Sequence, residues 1–193
     1  MKKKAKLKEK NQKSKKRLKT TENQGQARKA LEFLTVTAAV AIIVYAVLSL
    51  PPFENALGWL AAETSRVFLA AEGVNARVAW TAGSPHLIGV NASGVAFDAE
   101  LVELCWGKLE VALLAGFIAA SRDRSRRERV KGITVGTGFM LVAFNPLRIS
   151  VSLLAINPFV HDVLFRIFLI ATLAFYYALW YAWLSLPSIR KAK

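Results

Sequence analysis

The sequence predicts an all-α integral membrane protein with four transmembrane helices and both termini in the cytoplasm. An outer amphipathic helix and short β-strands are expected between the first two spans. Three observations support this fold class. Hydrophobic residues make up 54% of the 193 residues, they concentrate in long runs, and the positive charges lie mostly between those runs. The single cysteine excludes an internal disulfide and any cysteine-only metal site.

The first 30 residues form a basic tail. Residues 1–29 contain 13 Lys or Arg and two Glu, with too few large apolar residues to bury a core, so we expect disorder. The formal net charge of +14 is compatible with nucleic-acid binding, but this tail adjoins an apolar run. Attraction to anionic lipids of the cytoplasmic leaflet is the simpler interpretation, and no nucleic-acid partner is expected.

The spans are predicted from length and charge. The first, at about 31–50, contains 18 uncharged residues from Phe33 to Leu50, which is about 27 Å of helix. Pro51 and Pro52 are expected to end it. A cleaved signal peptide is the alternative, but the basic flank is too long and no cleavage site follows. The other spans lie at about 101–120, 132–156 and 162–186, within a single membrane domain at 31–186.

The outer segment, 51–100, differs from the spans around it. Apolar residues from Leu57 to Ala71 share one helix face, which predicts an amphipathic helix at about 56–72 that lies on the bilayer and is capped by Gly73. A shallow insertion of this helix is the alternative. Alternating apolar residues at 74–80 and 87–97 predict short strands. Asn91-Ala92-Ser93 fits a glycosylation acceptor, although such tripeptides are common by chance.

The positive charges predict the orientation. Outside the spans there are 24 Lys or Arg, and 22 of them fall in the tail, in the loop 121–131 or in the basic C-terminal segment 187–193. These regions share one side only if there are four spans and the 56–72 helix does not cross. The positive-inside rule then places both termini in the cytoplasm of a multi-pass protein of the cell membrane.

This topology brings three unusual residues to the outer leaflet. Cys105 lies near the outer start of the second span, and His161 stands at the start of the fourth. Arg148 lies about 12 Å below the outer end of the third span, where a guanidinium costs at least about 2.5 kcal/mol. Ordinary roles remain open for all three: packing for Cys105, an interfacial position for His161, and a pair with Glu103 or outward snorkelling for Arg148.

Nucleophilic chemistry would use all three residues. His161 would take the proton of the Cys105 thiol, and Arg148 would stabilise the thiolate or an oxyanion. Two further residues are expected to support them. Asn145 shares a helix face with Arg148, beside a proline at which we expect a kink, and Lys108 shares a face with Cys105. The alternative for Lys108 is an ion pair with Glu103 or Glu110.

A metal site is the competing interpretation of the histidines. His86 and His161, with Glu100 or Glu103, have the right chemistry for ligands, but no tight ligand spacing supports this set. The sequence also lacks a glycine-rich phosphate loop and a nucleophile-elbow serine. We therefore expect neither a metal nor another cofactor.

The ordered motifs resemble the exosortase/archaeosortase family of membrane cysteine transpeptidases, and especially its short archaeosortase-type members. The resemblance covers about residues 31–186. It rests on Cys105 at the start of a span, Asn145-Pro146-Leu147-Arg148 within the next, and His161 before the last. It implies that Cys105, Arg148 and His161 are catalytic. Trp106 departs from the Ser or Thr that the family usually has after its cysteine, whereas Gly107 fits.

The resemblance also implies a reaction. Substrates would be exported proteins that end in a short motif, a spanning helix and a basic cluster. Cys105 would cleave them at the outer face through a thioester, which an amine on a lipid or another acceptor would resolve. Water would give proteolysis instead. The alternative, from another class, is a non-enzymatic membrane assembly protein in which Arg148 and acidic residues hold helices together.

Overall fold

The computed structural model describes residues 2–90, 94–154 and 158–183, and describes side chains within 25–90, 94–153 and 163–182. The predicted glycosylation tripeptide and basic C-terminal end lie outside the described residues. In chain order the elements are α1 (Lys2–Leu48), α2 (Pro51–Ala71), β1 (Asn75–Thr81), β2 (Ser84–Val90), β3 (Ala96–Glu100), a 3₁₀ turn (Glu103–Trp106), α3 (Lys108–Ala120), α4 (Arg126–Phe139), a π segment (Met140–Phe144), α5 (Asn145–Leu154) and α6 (Pro158–Trp183).

Among the described residues, three helical segments are long and apolar enough to cross a membrane: Gly25–Leu48, Arg126–Leu153 and Val163–Ala182. They correspond to the first, third and fourth predicted spans. The fold is largely helical, and these segments are compatible with the predicted membrane protein.

The basic tail differs from the sequence prediction. We expected disorder over residues 1–30, but α1 is helical from Lys2. The segment is rich in Lys, Arg, Gln, Glu and Ala, all of which have high helix propensity. It continues without a break into the apolar half of α1.

The second predicted span is also different. Instead of one helix over 101–120, the chain forms the 3₁₀ turn and then α3, which begins only at Lys108. Gly107 separates them with a left-handed backbone, φ +79°, a conformation that glycine adopts without steric cost. The 13 residues of α3 extend about 20 Å, less than the roughly 30 Å of a hydrocarbon core.

The outer segment folds as a helix packed on a small sheet. The prolines Pro51 and Pro52 end α1, as predicted, and occupy the first turn of α2. Of the two segments predicted as strands, 74–80 corresponds to β1, whereas 87–97 covers only the end of β2 and the start of β3. The three strands form an antiparallel sheet in the order β1-β2-β3. We expected the apolar face of α2 to lie on the bilayer. Instead its buried residues join Leu87 of β2 and Ile149 of α5 in one hydrophobic cluster.

Packing brings the basic loop after α3 beside the start of the apolar part of α1 and the last turns of α6. We call this side of the bundle the basic end. Arg122 pairs with Glu32 of α1 at 3.3 Å. Arg124 donates a hydrogen bond to the carbonyl oxygen of Tyr181, near the end of α6, at 3.1 Å. Phe33 and Phe117 stack between α1 and α3 with ring centroids 6.3 Å apart. The turn that carries Cys105 lies before α3, and therefore at the opposite end of that helix.

A π segment interrupts the third long helix. In it the N–H of Asn145 donates to the carbonyl oxygen of Met140, five residues earlier. We predicted a kink beside Pro146, which cannot donate to the carbonyl of Val142. The observed feature is this wider turn, which ends immediately before Asn145 and Pro146 and sets the rotation of α5.

Candidate active site

The turn that carries Cys105 is anchored through its neighbour Trp106. The Trp106 side chain is buried in the cluster formed by α2, the sheet and α5. Its indole Nε1 donates to the carbonyl oxygen of Leu101 at 2.7 Å, and the N–H of Cys105 donates to that of Val102 at 2.7 Å. The bulky residue after the cysteine is therefore a core residue that fixes the turn.

Two side chains of α5 bind the backbone of this turn. The amide Nδ2 of Asn145 donates to the carbonyl oxygen of Cys105 at 2.7 Å. Nη2 of Arg148 donates to the carbonyl oxygen of Leu104 at 3.2 Å and to Oδ1 of Asn145 at 2.6 Å. The structure thus brings Asn145 and Arg148 together at the cysteine turn, across 40 or more residues of sequence.

The partner of Arg148 is an acid that the sequence analysis did not select. Arg148 forms an ion pair with Glu110 of α3, and the side chains are 4% and 6% exposed. The guanidinium carbon also lies 3.9 Å from the ring centroid of Phe165 in α6. We considered Glu103 as the partner of Arg148, and that expectation is wrong. An acid three residues into the apolar helix was the available signal, because buried acids pair with buried cations.

Lys108 belongs to a separate ion-pair cluster. Its side chain is 2% exposed and its Nζ lies 2.5 Å from Glu54 and 3.4 Å from Glu103. Nζ also lies 5.6 Å from the ring centroid of Tyr45. Lys108 thus contacts carboxylates and rings of α1, α2 and the 3₁₀ turn. Its contacts link these elements to α3, and the pair with Glu103 is the alternative that the sequence left open for Lys108.

The electrostatics around Cys105 favour the protonated thiol in the protein as it stands. Burial raises the pKa of the Cys105 thiol from 9.0 to about 11, the charge of Arg148 acts to lower it, and that of Glu110 acts to raise it. Only about one molecule in ten thousand carries a thiolate at neutral pH if the pKa is about 11. Any nucleophilic reaction of Cys105 therefore requires a base that removes its proton.

A shallow pocket lies beside this cluster. It is lined by residues of α3, the π segment, α5 and α6, together with Gly107. Within the part of the chain that the structure describes, Oε2 of Glu110 and Nε of Arg148 have no hydrogen-bond partner. The lining residues are Gly107, Glu110, Met140, Phe144, Asn145, Arg148, Leu169 and Thr172.

The two histidines lie in different places. His161 is in the first turn of α6, and its side chain lies outside the described residues. In β2, Nδ1 of His86 lies 2.7 Å from Asp98. Its neighbour Leu87 is buried with Trp106, so His86 is on the opposite face of the sheet. Among residues 2–90, 94–154 and 158–183, no three His, Cys, Asp or Glu side chains are grouped as metal ligands.

Comparison of this chain with protein-family models, with curated proteins and with solved structures gives no match.

Proposed function

We propose that this chain is a membrane-embedded cysteine transpeptidase or protease of the exosortase/archaeosortase type. The observation that carries the proposal is the contact of Asn145 and Arg148 with the backbone of the Leu104-Cys105 turn. Both residues belong to the Asn-x-x-Arg motif on which the resemblance rests. Packing alone would accept another small apolar residue at position 105, so it does not explain why a cysteine stands in the turn that Asn145 and Arg148 bind.

The proposed orientation has the basic end in the cytoplasm and the cysteine turn at the outer face. The contacts of Arg122 with Glu32 and of Arg124 with Tyr181 support it, because they place the basic loop beside α1 and α6. The chain would then pass between the two faces four times, and α3 would be the short pass. The positive-inside rule assigns the basic end to the cytoplasm.

His161 is the proposed base. Phe165 follows it by four residues in α6, and positions four apart share one face of a helix. Since Phe165 lies against the guanidinium of Arg148, this spacing supports a place for His161 on the side of α6 that faces the cluster. A base is required in this mechanism because the resting thiol is protonated.

The reaction begins when Sγ of Cys105 attacks the scissile carbonyl carbon and its proton passes to His161. Arg148 stabilises the negative charge that develops. The C–N bond then breaks, the released amine takes the proton from His161, and a thioester remains on Cys105. An acceptor amine attacks the thioester, loses a proton to His161, and forms an amide as the thiol leaves with a proton. Water in place of the amine gives a carboxylic acid.

The proposed substrates are exported proteins with a C-terminal motif, a spanning helix and a basic cluster. That basic cluster would remain on the cytoplasmic side, while the motif reaches the turn at the outer face. The acceptor would be a lipid or another amine, and anionic lipids would bind the basic tail.

Processing of a co-expressed candidate substrate tests the proposal. Cys105→Ala and Cys105→Ser should both abolish cleavage, because neither supplies a thiolate. Glu63→Gln, which affects a surface pair with Arg66, is the matched control and should process normally. Normal cleavage by both Cys105 variants would refute the enzyme hypothesis.

The second candidate is a non-enzymatic membrane assembly protein. Two features favour it: the ion pairs of Arg148 and Lys108 are largely buried, and burial raises the pKa of the Cys105 thiol. In that case Cys105→Ser would retain all activity in cells, whereas substitution of Arg148 would lose it together with the folded protein.

A further inference from the structure

Glu110 is a buried acid beside the cysteine turn. We propose that Glu110 is a positioning residue, which holds the guanidinium of Arg148 against the Leu104-Cys105 turn and so sets the place of the Cys105 thiol. As a statement about catalysis this rests on the proposed function. As a statement about the turn it stands on contacts alone.

The guanidinium of Arg148 is held from three sides. Nη1 faces Glu110, Nη2 donates to Leu104 and Asn145, and one face of the group lies on Phe165. A guanidinium is planar and rigid, so contacts in these directions leave it one orientation. Of these contacts only Glu110 supplies a charge, because the others are a carbonyl, an amide and a ring.

Removal of that charge should displace Arg148. Arg148 is 3% exposed, and a buried cation without a counterion is strongly unfavourable. The flexible side chain would move toward water or another acid to recover solvation. The bond to Leu104 would then be lost, and so would the acceptor bond at Asn145, which helps to orient the amide that donates to Cys105.

No other described acid takes this place. Glu103 is 61% exposed and lies 3.4 Å from Lys108. Glu54 binds the same lysine at 2.5 Å. Glu54 and Glu103 thus pair with Lys108, whereas Glu110 pairs with Arg148. A substitution at Glu110 should therefore affect the turn through Arg148.

Hydrogen exchange in the segment 101–107 measures the order of the turn in the purified full-length protein without any substrate. Glu110→Gln and Arg148→Gln should each speed exchange there by about tenfold or more, and the double variant should add little. Such non-additivity is the signature of one residue acting through the other. Additive effects, or wild-type exchange in Glu110→Gln, would overturn the inference.

Glu63→Gln is the control and should leave the exchange of this segment unchanged. If either single variant does not fold, the double variant supplies the test, since Gln at both positions removes both buried charges. Its exchange in 101–107 should then exceed that of wild type, and wild-type exchange in a folded double variant would overturn the inference.

A variant in which the two charged residues are swapped distinguishes a positioning role from a merely structural ion pair. Glu110→Arg combined with Arg148→Glu restores two opposite charges, but a carboxylate at 148 cannot donate to Leu104. Thermal stability should recover toward wild type while the segment 101–107 still exchanges fast. Recovery of slow exchange would show that only the ion pair matters and would overturn the inference. Since exchange needs no substrate, this outcome stands even if Cys105→Ser proves active and the proposed function fails.

Discussion

Arg148 donates a hydrogen bond to the carbonyl oxygen of Leu104 over 3.2 Å, although 44 positions separate the two residues in the chain. The same guanidinium binds Asn145, which in turn holds the carbonyl of Cys105. The turn before α3 is thus attached to α5 by side chains that meet only in the folded protein. Substitutions in this network should therefore change the order of the turn that carries Cys105.

Asn145→Ala should destabilise the protein and loosen the cysteine turn. The side chain both donates to Cys105 and accepts from Arg148, and loss of buried partners of this kind costs about 1–3 kcal/mol. Thermal unfolding in detergent measures the change. Asn55→Ala, at an exposed position of α2, should unfold like wild type, and equal stabilities of the two variants would contradict the prediction.

Alkylation of Cys105 should show an unusually high pKa. Because burial raises its pKa to about 11, the labelling rate should increase through pH 9 and 10 without a plateau, by about tenfold per unit. An exposed thiol, introduced as Ala71→Cys in the Cys105→Ala background, should approach its plateau near pH 9.

The Glu54–Lys108 pair should make the free energy of unfolding depend on pH in the acidic range. The hydrogen bond from Lys108 leads the causes that lower the pKa of Glu54 below its ordinary 4.5. A carboxyl whose pKa is lowered by folding stabilises the fold at pH values above the pKa that it has in the unfolded chain. This contribution is lost as the pH falls through the pKa of the carboxyl in the folded protein. Lys108→Met should cost about 2 kcal/mol at neutral pH.

The difference between wild type and Lys108→Met should shrink as the pH falls below about 4.5, where Glu54 becomes protonated. Thermal unfolding across this range measures it. A difference that remains constant to pH 3 would show that the ion pair contributes nothing and that only the packing of the lysine stem matters.

Close packing of α1 against α3 should depend on Gly116. A Cβ built there would lie 2.5 Å from the carbonyl oxygen of Thr37, which belongs to the backbone and cannot rotate away. Gly116→Ala should destabilise the protein by about 1–3 kcal/mol. Gly138→Ala is the control, because a Cβ there meets nothing within 4 Å, and it should be neutral or stabilising.

The orientation is tested by labelling intact cells with a membrane-impermeant thiol reagent. In the Cys105→Ala background, Ala71→Cys at the end of α2 should react, whereas Arg127→Cys in the basic loop should react only after the cells are opened. Both positions are exposed in the fold, so a difference reports the membrane. The reverse pattern would place the cysteine turn in the cytoplasm and exclude cleavage of exported substrates there.

The three long helices were predictable because predominantly apolar runs of this length are typical of membrane-spanning helices. The meeting of Cys105, Asn145 and Arg148 was also within reach, since depth along each helix follows from span order. The 3₁₀ turn was not, because Leu101, Val102 and Leu104 are as apolar as a span and the left-handed backbone of Gly107 is invisible in composition.

The pairing of charges was beyond sequence reasoning for a different reason. Glu103, Glu110 and Lys108 lie within eight residues, and Arg148 can pair with either acid as far as depth is concerned. The choice of Glu110 depends on how α3 and α5 are rotated about their axes. That rotation is set by contacts such as Trp106 in its core, which appear only when the whole chain has folded.

The π segment Met140–Phe144 has a consequence for how this chain tolerates changes in length. A π turn contains one residue more than the α-turn it replaces. Deletion of a single residue within it would convert it to an ordinary α turn and leave the rotation of α5 nearly unchanged, because either kind of turn completes about one revolution. Deletion of a residue within α4 would instead rotate everything that follows by about 100°, and Asn145 and Arg148 would then keep their motif and lose the cysteine turn. Related chains should therefore lose a single residue within this stretch more readily than in the α-helical turns on either side of it.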